Sequence, residues 1–191
     1  MSRHVQSAES EQEKWRRMEP TVVSNVGTRT VVSKTFAVPG GAMHHYETTW
    51  PENCLCAATV ALTKDHKVIV ARQFRPGPER FMNEIPGGVV GMKETAEDAA
   101  RRELLCEVGY KPGKLEYLGE AGRDGYTNAI WHYYFATDCE PVPDSQQPEA
   151  CERVEVRLLT IDEFIDDARN YRMTDPAAVL LAYELLTKLK R

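Results

Sequence analysis

Residues 87–110 read GGVVGMKETAEDAARRELLCEVGY, a glycine-rich turn running straight into a helical pattern. Thr95 is a sound N-cap, and Asp98 makes a capping-box-like pair with it. Ala99, Ala100, Leu104 and Val108 give an apolar stripe, and Gly109 supplies the stop, so the spacing predicts a helix over residues 95–108. Glu97 and Arg101 support its exposed face. Glu103 and Glu107 stand one turn apart and project side by side. Adjacent carboxylates repel unless one is protonated or a cation sits between them. Neither has a basic residue one turn further on before the stop glycine. Magnesium takes one or two carboxylates together with waters and phosphate oxygens. Gly87, Gly88 and Gly91 allow backbone to approach a ligand or metal closely. A solvated acidic face would carry the same pair of glutamates, so the surrounding text has to decide between the two readings.

As a spaced pattern the stretch is Gly88, five residues, Glu94, seven residues, Arg102-Glu103-Leu104, one residue, Cys106-Glu107, one residue, Gly109-Tyr110. This resembles the Nudix box, the signature of hydrolases that cleave nucleoside diphosphates linked to another group. Every specified position matches except one, where Cys106 replaces the first glutamate of a Glu-Glu pair. Upstream, RQFRPG (72–77) and NEIPGG (83–88) resemble segments of the ADP-ribose pyrophosphatase branch, and CERVEV (151–156) resembles a strand of the same branch. The similarity covers roughly residues 20–185.

The resemblance implies an α/β fold: an α/β/α sandwich around a mixed sheet, with a small N-terminal antiparallel β appendage. It implies that Glu103, Glu107 and the Gly87 carbonyl bind Mg2+, with Mn2+ as the alternative. Arg102 falls on an arginine that braces the loop and helix, with Glu94 as its partner. Arg75 and Glu84 fall on substrate-contacting positions, Arg75 as a charged fork on phosphate. Glu152 matches the loop glutamate that orients or deprotonates the attacking water, and Glu149 is its near rival. The implied reaction is metal-assisted attack of water on a diphosphate, releasing a nucleoside monophosphate and a sugar phosphate. A homodimer is implied in the same way.

Two departures keep alternatives open. A thiol is a soft ligand, poorly matched to magnesium and better suited to manganese or zinc. Cys106 therefore leaves three readings: a weakened but working site, a changed metal preference, or a catalytically silent module that binds or senses nucleotide sugars. In the loop GRDGYTNAIW (122–131), Asp124-Gly125 stands where the branch carries Pro-Gly. The strand TRTVVS has Val31 and Val32 where some relatives carry an adenine-stacking tryptophan. Tyr126, Trp131 and Trp15 are the aromatic candidates for a base, with an ordinary core role the competing reading for Trp131. The sugar nucleotide is thus left between ADP-ribose, another ADP-sugar and a GDP-sugar.

The rest of the chain sets bounds. At 191 residues it fits one domain or one domain with an appendage. We divide it into a flexible arm (1–18), a small β-domain (19–52) and the main domain (53–191). A formal charge of −5 argues against a partner held through a nucleic-acid backbone. The five cysteines show no zinc spacing, and the polar opening MSRHVQSAESEQEKWRR has no secretory character. The longest apolar run, CLCAATVAL, is too short to span a membrane. These features lead us to expect a reduced cytoplasmic protein acting on a small molecule. Strands are expected at 54–62, 67–74 and near 115–120, 130–137 and 153–159. Helices are expected at 161–169 and from Pro176 to about Lys190, the last capped by Thr174 or Asp175.

Overall fold

The computed structural model describes residues 15–27, 29–49, 54–127, 129–146 and 153–190. The chain forms two compact units, residues 1–53 with 124–129, and residues 54–123 with 130–191.

The first unit is an antiparallel sheet of β1 (Arg16–Val26), β2 (Arg29–Ala37) and β3 (Met43–Thr49), in that order. β1 starts at Arg16, earlier than its alternation suggests. An irregularity between Met18 and Val22 interrupts the pairing, and with it the period-two signal. The turn at Pro39-Gly40-Gly41 uses left-handed backbone at both glycines, with φ of 92° and 86°. Trp15, Phe36, His44 and Tyr46 form a chain of ring contacts across the sheet. The Thr49 N–H donates to the Tyr126 carbonyl at 2.9 Å. A cavity of about 710 Å³ lies here, lined by Trp15, Lys34, Phe36, Tyr46 and Tyr126 among others.

The second unit holds an eight-stranded sheet built on the order β11-β5-β4-β10-β8. Its strands are β4 (Leu55–Thr63), β5 (Val68–Arg75), β6 (Arg80–Glu84), β7 (Gly87–Val89), β8 (Tyr110–Lys111), β9 (Lys114–Ala121), β10 (Ile130–Pro141) and β11 (Glu155–Leu159). β4 and β10 run parallel and the remaining pairs antiparallel, so the sheet is mixed. After its first residue β4 is buried along its whole length. A strand with both faces buried needs cover on both sides. Helix α1 (Ala96–Val108) covers the face carrying Ala57, Ala61, Ile69 and Ala71, through Ala99, Ala100, Leu104 and Val108. Helices α2 (Ile161–Arg169) and α3 (Pro176–Leu189) complete the unit, and α3 lies against β4, β9 and β10.

Register fixes what reaches the site. Ala58 pairs with Gly87 and Ala57 with Gly88, laying the glycine strand on the middle of β4. A Cβ on Gly87 would lie 2.6 Å from the Ala57 carbonyl oxygen and 2.6 Å from Ala58 Cβ, so only glycine fits. The β5–β6 hairpin sets Ala71 opposite Glu84 and Arg75 opposite Arg80.

Candidate active site

The helix begins as its cap residues dictate. Thr95 Oγ1 accepts from Asp98 N–H at 3.1 Å, and Gly109 closes the other end in left-handed backbone at φ 75°. This sets the phase of every side chain on α1.

Glu107 is turned inward and is 7% exposed. Its Oε2 accepts from Gly87 N–H at 3.0 Å and its Oε1 from Gln73 Nε2 at 3.2 Å. Two donors from different strands therefore hold one carboxylate. Glu103 lies against the glycine strand: a Cβ on Gly88 would fall 2.2 Å from its Oε1. The sequence offered no basic partner one turn away, and the structure supplies the adjacent Arg102, whose Nη1 donates to Glu103 Oε1 at 2.7 Å. Cys106 sits between them, half-buried with a free thiol.

Arg102 ties loop to helix. Its Nε and Nη2 donate to Glu94 Oε1 and Oε2 at 2.8 and 3.0 Å, and Nη2 also reaches the Val89 carbonyl at 3.1 Å. Glu94 Oε2 accepts from Gly91 N–H at 3.0 Å as well. The Arg102 fork, helped by that N–H, pulls the Glu94 carboxyl down to about 2. The same bonds raise Arg102 further above its ordinary value. The loop is thus locked by charge-assisted bonds on both flanks.

On the neighbouring hairpin Arg75 grips Glu84 through both Nε and Nη2. Glu84 is 5% exposed, and burial raises its carboxyl pKa against the opposing pull of Arg75. Tyr126, read as a substrate contact, lines the cavity of the N-terminal unit. Glu149 and Glu152 lie outside the described residues.

The donor chemistry suits a hard divalent cation. Glu103 and Glu107 offer carboxylate oxygens beside a glycine strand that a Cβ would obstruct. Among the described residues no group of three or more His, Cys, Asp or Glu forms a ready-made cage.

Gln73 lay outside the sequence-based set, as did the ion pair of Arg123 with Asp175. Gln73 stands within RQFRPG, but nothing local indicates that its amide reaches α1. Thr174 or Asp175 was expected to cap α3, and the position falls to Asp175. It occupies that position with no capping bond, and its carboxylate binds Arg123 Nη2 at 2.8 Å instead. No helix among the described residues is long and apolar enough to cross a membrane.

A glycine strand is thus locked onto a carboxylate-bearing helix beside a mixed sheet. The sequence matches the NUDIX domain over residues 55–179, most of the chain, and the protein belongs to the Nudix family of hydrolases. It is similar to the methanol dehydrogenase activator of Bacillus methanolicus, 29% identical over 64% of this chain and 67% of that one. It is 32% identical to the ADP-ribose pyrophosphatase of Bacillus subtilis, over 56% of this chain and 58% of the relative. The ADP compounds hydrolase NudE of Escherichia coli is 24% identical over 82% of this chain and 85% of its own length. A crystal structure of an ADP compounds hydrolase shares the fold, with a TM-score of 0.74 at 23% identity, covering 92% of this chain and 95% of that one.

Proposed function

We propose that the protein hydrolyses the diphosphate linkage of a nucleoside diphosphate sugar of the ADP-ribose type, releasing a nucleoside monophosphate and a sugar phosphate. The observation that carries this reading is Glu107, a nearly buried carboxylate held by Gly87 N–H and Gln73 beside Glu103. Burying a charge is costly unless it is bonded and used. The substrate class draws on the named activities of the relatives, an ADP-ribose pyrophosphatase and an ADP compounds hydrolase.

In this mechanism Glu103, Glu107 and the Gly87 carbonyl would hold Mg2+ or Mn2+. The bound ion supplies Lewis-acid polarisation of a phosphate oxygen. Arg102 and Glu94 keep the glycine loop from shifting as the diphosphate docks. Arg75, steadied by Glu84, contacts a phosphate oxygen of the substrate. Glu152, or Glu149, takes a proton from water as its oxygen bonds to phosphorus. The bridging P–O bond breaks, and the leaving phosphate carries the electron pair. We assign the protein as a homodimer, which sedimentation velocity checks.

Chromatography of products from ADP-ribose, other ADP-sugars and GDP-sugars, with magnesium and separately with manganese, tests the reading. The expected result is monophosphate from at least one ADP-linked compound. Absence of turnover across the panel with either metal overturns it.

A further inference from the structure

The segment leading into α3 carries a second set of ionic contacts that the loop–helix motif does not use. Met173 forms a parallel bridge with Asn83 of β6. Asn83 N–H donates to the Arg172 carbonyl at 2.9 Å, and Thr174 N–H to the Asn83 carbonyl at 3.3 Å. This bridge delivers Asp175 to the neighbourhood of Glu84, which feels the charges of both Asp175 and Arg123.

Asp175 is 4% exposed. Its Oδ1 accepts from Arg123 Nη2 at 2.8 Å and from the Tyr133 hydroxyl at 3.4 Å, and its Oδ2 accepts from the Thr174 hydroxyl at 3.0 Å. An aspartate at a helix N-cap ordinarily serves the first-turn N–H groups. Here that service is forgone to clamp an arginine. The Arg123 guanidinium lies over the Trp131 ring, 3.7 Å from its centroid. Such stacking on a rigid aromatic fixes the plane of the fork.

Arg123 is held from two sides, yet its side chain is 36% exposed. A guanidinium has five N–H donors, and Asp175 and Tyr133 do not exhaust them. Beneath it, Trp131 is 6% exposed, and its buried Nε1–H has no acceptor among the described residues. An unmatched buried donor needs a reason. Arg123 is neutralised by the nearly buried Asp175, so this pair brings no surplus positive charge for another anion. What remains is a fixed, half-open donor fork beside the hairpin assigned to the diphosphate. That combination suits neutral oxygen acceptors held at set positions, which is the chemistry of sugar hydroxyls.

We propose that Arg123 is a specificity-determining residue that hydrogen-bonds hydroxyl oxygens of a sugar attached to the diphosphate, with Asp175 and Trp131 as the positioning residues that fix its fork. The inference rests on the function proposed above, and its test separates the two.

Binding is measured by calorimetry, without turnover, for three ligands: ADP-ribose, the P-ethyl ester of ADP, and the same ester of 2′,3′-dideoxy-ADP. The first has both sugars with their hydroxyls, the second lacks the distal sugar, and the third lacks hydroxyls altogether. Arg123→Gln is compared with the wild type and with Arg123→Gln/Asp175→Asn, which leaves no buried carboxylate without its cation. Thermal melts verify that each variant folds. The expected result is a roughly ten- to hundredfold loss of affinity for a hydroxyl-bearing ligand and little change for the dideoxy ester. In turnover, the rise in KM exceeds the fall in kcat. A loss confined to ADP-ribose assigns the distal sugar, and a loss shared with ethyl-ADP alone assigns the nucleoside ribose. Equal losses on all three ligands, or none, overturn the inference. If Arg123→Gln shows this ligand-dependent loss but the wild type hydrolyses no nucleotide sugar, the proposed reaction falls and the role of Arg123 stands.

Discussion

Arg102 and Arg123 each hold a carboxylate in a geometry that positions a loop, but they do so in opposite electrostatic settings. Arg102 and Glu94 are 41% and 20% exposed, eight residues apart within one loop and helix. Arg123 meets Asp175 across 52 residues of chain, and its partner is only 4% exposed. In water-facing pairs desolvation is slight and the net contribution small. A buried carboxylate whose cation is removed is left with an uncompensated charge, which is far more damaging. The first clamp can therefore be tuned without endangering the fold, whereas the second is part of what lets α3 dock.

The largest effect falls on activity, in the first region. Glu107→Gln keeps the shape and accepts from Gly87 N–H, and Gln73 can turn its amide to present oxygen. The fold should persist. The metal loses a charged ligand, and kcat should drop by at least about a hundredfold. A melting temperature near that of the wild type, measured beside the rate, separates the two effects. An unchanged rate would remove Glu107 from the site.

Next comes Gly88→Ala. The new methyl would sit 2.2 Å from Glu103 Oε1, the far end of a flexible side chain. Glu103 can swing away, so the melt should barely change while divalent-metal affinity falls roughly tenfold. Gly87→Ala instead meets backbone and Ala58 Cβ, and should appear first as lost stability. Equal melting losses for the two variants would mean that Glu103 is not the yielding partner.

Stability then tests the comparison itself. Arg123→Gln should cost about 2–3 kcal/mol in denaturant unfolding, and Arg102→Gln about 1 kcal/mol. Adding Asp175→Asn should restore much of the first loss, because the orphaned charge is gone. Equal costs for the two arginines would erase the distinction between the clamps.

The same distance in sequence governs what could be read in advance. The glycine strand, Thr95, Glu94, Arg102, Glu103 and Glu107 lie in one run, where helical phase converts spacing directly into geometry. Gln73 and Glu107 meet only after β5 and α1 have packed, 34 residues apart. Asp175 stands at the N-cap, as one of the two expected residues, but the partner of its carboxylate was hidden for a related reason. An aspartate before Pro176 satisfies the local capping rule, and only the bridge between Met173 and Asn83 shows that its carboxylate is needed elsewhere. The start of β1 at Arg16, inside the segment read as an arm, was obscured by an irregularity between Met18 and Val22 that breaks the alternation.

The smallest effect is set by Glu94. Its ordinary pKa of 4.5 falls to about 2 in the folded protein, through Arg102 first and Gly91 N–H second. A depressed carboxyl binds protons less readily when folded than when unfolded. Its contribution is therefore complete above about pH 4.5 and disappears as pH falls through about 2. Because the pair is partly exposed, that contribution is about 1 kcal/mol or less. Thermal melts of wild type and Glu94→Gln should differ by a few degrees at neutral pH and converge near pH 2. A constant gap between wild type and Glu94→Gln down to pH 2 would mean that packing, and not the charge-assisted fork, holds the loop to the helix.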